Sequence, residues 1–234
     1  MAAFALVHGA ADVGWYWHLV ERELRARGHE TTAPDLPCED DTAGLAEYAD
    51  TVARAAGRLR GGDLIVVAQS FGGFTAPLVA AQLQARAIVL VAGMIPVPGE
   101  KPEDWPANTG LWQAIAEQSA GDGGTAGSRD LLVTCYHDVP RALAEQAMAR
   151  GSRPQSDTPG RSPWPLSAWP AIPTRFVLCT EDRFFPAGFM RRVVTERLGI
   201  VPDQITAGHC AALSRPRELA GMLAGYAATP AATP

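Results

Sequence analysis

The chain alternates short apolar runs with longer amphipathic stretches. Residues 2–7, 63–69 and 87–92 each carry a block of Ala, Ile, Leu, Val or Phe, the pattern of strands buried on both faces. Between the first two, residues 17–27 place Leu19, Val20 and Leu24 at helical spacing and stop at Gly28. Residues 29–33 read as a second short strand, closed by Pro34. Residues 43–59 align Leu45, Ala49, Val52, Ala56 and Leu59 on one helix face, and Gly61-Gly62 then break the chain. A turn and a helix over 71–83 follow the third strand. From 93 to 173 periodicity weakens and Gly, Pro, Ser and Trp accumulate. That stretch predicts one helix, over 140–150, and the prolines of 162–173 exclude regular structure there. Alternation then returns, with a strand over 174–180, a helix over 187–198, a strand over 203–207 and a closing helix over 216–226, before a frayed end over 227–234.

Six strands separated by helices predict an α/β fold, a mainly parallel sheet of about six strands with helices on both faces. In this division residues 1–98 and 173–228 form the core, 99–172 form a cap or lid insertion, and 229–234 form a disordered tail. Ligands bind such sheets at the carboxyl ends of the strands, which is where the insertion falls.

Composition narrows the function. With 47% hydrophobic and 19% charged residues in 234, the chain has enough apolar content for one well-buried core. A net charge of −5 lacks the electrostatic footprint of a nucleic-acid binder. The N-terminus has neither a charged leader nor an apolar run long enough for a signal peptide, and no 18-residue apolar stretch spans a membrane, so a cytoplasmic location is expected. Cys38, Cys135, Cys179 and Cys210 are scattered, without zinc-ligand spacing, and read as reduced thiols. No phosphate-binding loop, dinucleotide fingerprint or metalloprotease motif is present, so neither cofactor nor metal is expected. A monomer or a homodimer, with a small molecule as partner, completes this expectation.

The sharpest chemical signal is Ala68-Gln69-Ser70-Phe71-Gly72-Gly73, between a buried strand and a helix. That is the setting of a nucleophile elbow, G-x-S-x-G, with Ala68 in place of the first glycine. As local structure alone, Ser70 reads as a helix N-cap. A second signal, His8-Gly9-Ala10-Ala11, ends the first strand. Elbow-bearing hydrolases take one oxyanion-hole N–H from such a loop and the other from the residue after the nucleophile, here Phe71. A serine hydroxyl needs a base. In the chain order Ser, acid, His, the downstream histidines are His137 and His209. His209 follows the last strand, whereas His137 sits in the irregular region. The acid follows the 174–180 strand. Glu181 and Asp182 both qualify, and the D-x-x-x-P pattern running to Pro186 favours Asp182.

Leu6-Val7-His8-Gly9-Ala10 with Gly14-Trp15-Tyr16-Trp17, then Gly28-His29 and Ala33-Pro34-Asp35-Leu36, resemble the α/β-hydrolase superfamily. The branch they resemble holds plant methyl-salicylate esterases and hydroxynitrile lyases. Cys179-Thr180-Glu181-Asp182 and Gly208-His209 carry the same resemblance, which weakens over 99–170. It implies a Ser70–His209–Asp182 triad, an oxyanion hole from the backbone N–H groups of Ala10 and Phe71, and an acyl-enzyme. The lyases of that branch carry Thr after the first-strand His and Lys beside the triad His. Gly9 and Cys210 stand there in this chain, so the resemblance favours ester hydrolysis over cyanohydrin cleavage. A natural-product tailoring enzyme (lactone opening, cyclisation or dehydration) and a non-catalytic small-molecule binder are the other readings. Among the aromatics, Trp15 after the oxyanion loop, Phe184 after the acid and Tyr136 are the candidate substrate contacts. With no placed Arg or Lys, the expected substrate is a neutral, moderately hydrophobic ester or lactone.

Overall fold

The computed structural model describes residues 1–59, 63–151 and 153–229. The predicted break at Gly61-Gly62 and the end of the predicted tail, 230–234, lie outside them. Six strands form one sheet: β1 (Ala3–Val7), β2 (Glu30–Thr32), β3 (Leu64–Gln69), β4 (Ala87–Val91), β5 (Thr174–Cys179) and β6 (Asp203–Ile205). Their order is β2-β1-β3-β4-β5-β6, and every pairing is parallel. The sheet is therefore wholly parallel where the sequence predicted mainly so. The two edge strands are its shortest, three residues each, which limits unpaired backbone at the margins.

Strand periodicity divides the interior in two. Ala5, Val7, Val66, Ala68, Ile88, Leu90, Phe176 and Leu178 face one core. Leu45, Tyr48 and Val52 of α2 (Leu45–Ala56), Val79 of α3 (Ala76–Leu83) and Val193 of α9 (Ala187–Leu198) cover that face. Their neighbours Phe4, Leu6, Ile65, Val67, Val89, Val91, Val177 and Cys179 face the other core, closed by Val20 and Leu24 of α1 (His18–Ala26) and Leu219 and Leu223 of α11 (Pro216–Ala228). Burial on both faces is why the central strands read as continuous apolar runs.

The segment between β4 and β5 departs from its expectation of a single helix. Among the described residues it holds five: α4 (Trp105–Thr109), α5 (Leu111–Asp122), α6 (Leu131–Thr134), α7 (Arg141–Gly151) and α8 (Thr158–Arg161). Only Leu111 is buried in α5, so that helix lacks an apolar stripe. Pro106 and Pro159 lie in the first turns of α4 and α8, where a missing N–H costs nothing. Buried contacts tie this segment to the core, two of them through Trp164 and Glu100. Trp164 donates from Nε1 to Phe74 O at 3.1 Å. Arg197 of α9 grips the buried Glu100 carboxylate through both terminal nitrogens, Nη2 to Oε1 at 2.9 Å. The remaining short helix, α10 (Ala211–Ser214), follows β6. No helix among the described residues is long and apolar enough to cross a membrane.

Candidate active site

β3 delivers Gln69 to the carboxyl edge of the sheet, and the chain reverses sharply at Ser70. Ser70 adopts φ +50, a left-handed conformation that costs a side-chain-bearing residue energy. It opens a 3-10 turn over Ser70–Phe74 that leads into α3. The turn is held from the β4 exit, where Met94 N donates to Ser70 O at 2.9 Å. The approach is close enough that a Cβ on Gly73 would stand 1.9 Å from Met94 O, so only glycine fits. Ala68, which replaces the first glycine of the motif, is fully buried in the core beneath α2 and α3.

The β5 and β6 exits carry the other predicted groups. Asp182 is 2% exposed and His209 5%. Asp182 Oδ1 accepts from the backbone N–H groups of Phe184 and Phe185, both at 2.8 Å, and Oδ2 stands 2.8 Å from His209 Nδ1. That partner gives Nδ1 the proton and leaves Nε2 free to accept. The rings of Phe184 and Phe185 pack on the imidazole at centroid distances of 4.8 and 5.1 Å. Of the two candidate acids, Asp182 meets the histidine. Glu181 is exposed, and its carbonyl accepts from His137 Nε2 at 3.0 Å. Ser70 and His209 line one cavity of about 330 Å³. No hydrogen bond joins the two side chains among the described residues, and such contacts commonly tighten only with substrate bound.

His8 of the first-strand motif is wholly buried and structural. Its Nδ1–H donates to Gly9 O at 2.8 Å and its Nε2 accepts from Leu36 N at 3.0 Å, which fixes a neutral ring. Burial lowers its pKa. Gly9 and Ala10 then border the cavity. A Cβ on Gly9 would lie 2.4 Å from Gln69 Oε1, so a threonine there, as in the lyase pattern, would require the Gln69 amide to move. Ala11 is held at φ +52, its N–H donating to Gln155 Oε1 at 3.0 Å. The Phe71 ring stacks on that of Phe74 at 5.9 Å between centroids.

Tyr136 and Phe184 line the cavity, as expected of substrate contacts. Trp15 does not. It stacks on His18 at 4.1 Å and lies under the Arg150 guanidinium, because the 3-10 turn Gly14–Trp17 directs it outward while Tyr16 and Trp17 go in. Cys135 and Cys210 are also lining residues. Burial pushes the Cys135 thiol up to about 12 and that of Cys210 well above its usual value, so neither is a thiolate at neutral pH.

Sequence reasoning passed over several neighbours. Asp12 lines the cavity and carries a carboxyl raised to about 6, chiefly by burial. It is the lone acid between His8 and His18, a signal open to sequence reading. Gln69 donates from Nε2 to His209 O at 3.4 Å. From the β4–β5 segment, Asp138 Oδ2 accepts from Gly208 N at 2.8 Å, next to His209, while His137 holds the Glu181 carbonyl. Two adjacent residues thus clasp the loops of the acid and the histidine. His137 stood in the sequence only as the alternative base, and no short-range pattern announces its role here or that of Asp138.

Comparison with known proteins places the fold. The family model described as "Alpha/beta hydrolase family" matches residues 4–222. Esterase PIR7B of Oryza sativa subsp. japonica is 27% identical, with 94% of this chain and 93% of that protein covered. Norfluorocurarine synthase 1 of a Strychnos species is 23% identical over 92% of this chain and 91% of its own. Among solved structures, a pyrethroid hydrolase from Sphingobium faniae JZ-2 superposes with a TM-score of 0.76 at 22% identity, covering 99% of each chain.

Proposed function

Because this chain belongs to the alpha/beta hydrolase family and its relatives include named esterases, we propose that it hydrolyses a small, neutral, moderately hydrophobic carboxylic ester or lactone through a Ser70–His209–Asp182 triad. The observation that carries this reading is the 2.8 Å pairing of His209 Nδ1 with Asp182 Oδ2, on a cavity shared with a serine held at φ +50.

In this mechanism Ser70 Oγ attacks the ester carbonyl carbon as its proton passes to His209 Nε2. Asp182 holds the Nδ1 proton in place and stabilises the imidazolium. The carbonyl oxygen, now negative, is received by the backbone N–H groups of Ala10 and Phe71, each worth roughly 10²–10³ in rate. The imidazolium gives its proton to the departing alkoxide, leaving an acyl-serine. Water, deprotonated by His209, attacks that acyl group. Collapse frees the carboxylic acid and returns the proton to Ser70. The β4–β5 segment acts as the cap. Leu131, Met148 and Phe184 supply apolar wall, which suits a hydrophobic substrate.

The test is turnover of p-nitrophenyl acetate, butyrate and octanoate by the protein and by Ser70→Ala and His209→Ala. The expected result is hydrolysis that favours the longer chains and falls at least 10³-fold (roughly) in either variant. Equal turnover by Ser70→Ala overturns the mechanism. Faster cleavage of short charged acyl esters overturns the substrate class. The relative named as a synthase favours a second reading, a tailoring reaction on the same residues. Product analysis separates hydrolysis from cyclisation or dehydration, since of these only hydrolysis incorporates one solvent oxygen into an acid.

A further inference from the structure

The cavity contains a carboxylate that the steps of ester cleavage do not use. Asp12 lies on the turn between β1 and the 3-10 helix, bordering the same space as Ser70 and His209. Its Oδ1 accepts from Val13 N at 2.8 Å. Its Oδ2 has no hydrogen-bond partner among the described residues. No basic side chain pairs with it there either. Arg150 is engaged by Trp15, and Arg153 by Asp35 and Glu39. Asp35 is the charged neighbour it feels, and that repulsion adds to burial in lifting its pKa to about 6, so the carboxylate is mainly ionised at neutral pH. Tyr16, Tyr136 and Cys210 line the same cavity, and Asp12 further disfavours each of them from ionising. The Tyr16 hydroxyl is buried without a hydrogen-bond partner among the described residues. The Ala212 backbone lies near enough to act on it electrostatically but outside hydrogen-bond geometry.

A half-buried carboxylate without a cation is costly, and its natural complement is a donor brought by the ligand. We propose that Asp12 is a specificity-determining residue: the cavity takes esters carrying a hydrogen-bond donor, a hydroxyl or an amine, close to the scissile carbonyl, and Asp12 Oδ2 accepts it. This inference rests on the serine-esterase reading; a hydroxyl narrows its neutral substrate class, and an amine would extend that class to a cation. Met148, Leu131 and Phe184 hold the hydrocarbon part, while Asp12 reads the polar substituent. A neutral hydroxy ester satisfies both demands. An ammonium would add a charge pairing.

The test uses one carbon frame with and without the donor: methyl 3-phenylpropanoate, its 2-hydroxy and 3-hydroxy derivatives, and the corresponding amino esters. For each, kcat/KM is measured on the protein, on Asp12→Ala and on Asp12→Asn. The quantity compared is the ratio of donor-bearing to donor-free ester within one variant, which cancels any general loss of activity. The expected ratio in the unaltered protein is about tenfold to a hundredfold, the range of a hydrogen bond to a charged group, and it collapses toward one in Asp12→Ala. Asp12→Asn, which still accepts but is uncharged, keeps a hydroxyl preference and loses an ammonium preference, so it tells the two donors apart. A ratio near one in the unaltered protein, with turnover that depends on Ser70, overturns the assignment of Asp12 and leaves the esterase reading intact. A preference that survives Asp12→Ala also overturns it. Absence of Ser70-dependent turnover on every ester overturns the esterase reading, and this inference with it.

Discussion

Replacing Asp182 by Asn isolates its role at the histidine from its role in the fold. Asp182 accepts three hydrogen bonds, two at Oδ1 from Phe184 N and Phe185 N and one at Oδ2 from His209 Nδ1. Asparagine has one oxygen. The two amides are fixed in the backbone, so that oxygen stays with them and the NH₂ takes the place of Oδ2. A donor then faces Nδ1. The imidazole answers by presenting Nδ1 as acceptor, which moves its proton to Nε2, the nitrogen that must take the proton of Ser70. The base is lost while the packing is kept. Wrong-tautomer changes of this kind cost about 10⁴ in kcat, or about 5 kcal/mol of barrier. Stability should change by no more than about 1 kcal/mol, since both amide bonds persist. Asp182→Ala orphans both amides instead, at about 1–3 kcal/mol apiece. The assay pairs steady-state kcat on p-nitrophenyl butyrate with urea midpoints for both variants. Asp182→Asn turning over within tenfold of the unaltered protein refutes the reasoning, as does a stability loss equal to that of Asp182→Ala.

Other consequences follow from the same contacts. Gly73→Ala forces a Cβ to within 1.9 Å of Met94 O. The elbow must shift, so both the melting temperature and kcat should fall, whereas a silent substitution would contradict the packing given for that turn. Arg197→Met leaves Glu100, whose side chain is 1% exposed, without its charge partner, and should cost about 3–5 kcal/mol in chemical denaturation. The pH dependence of stability has two opposed parts. His8 is neutral and its pKa is lowered on folding, so the unfolded chain binds its proton first and stability falls as pH drops below the unfolded value of 6.5. Asp12, raised from 3.8 to about 6, holds its proton longer when folded, so it costs stability as pH rises from 4 to 6 and leaves a standing cost of about 3 kcal/mol above that. Asp12→Asn should therefore stabilise the protein at pH 8 and steepen its acid loss in urea titrations between pH 6 and 4. No gain at pH 8 would mean that Asp12 is not destabilised by burial.

The parallel sheet was legible because its central strands are buried on both faces and read as uninterrupted apolar runs. Ser70, Asp182 and His209 were legible because each follows a strand, and strand ends are where such sheets place their ligands. What stayed hidden had no local cause. Asp138 and Gln155 meet their partners 70 and 144 positions away in sequence. Trp15 looked like a pocket residue because it follows the His8-Gly9 loop, yet a single 3-10 turn points it at His18. α5 escaped notice because a helix with one buried side chain has no apolar period.

The activated serine is the centre of the account, and a fluorophosphonate probe reads it directly. Labelling followed by peptide mapping should place the probe on the Ser70 peptide, with no label in Ser70→Ala. Label on another serine, or none on folded protein, would contradict the triad and turn attention to a protein that binds small molecules without cleaving them.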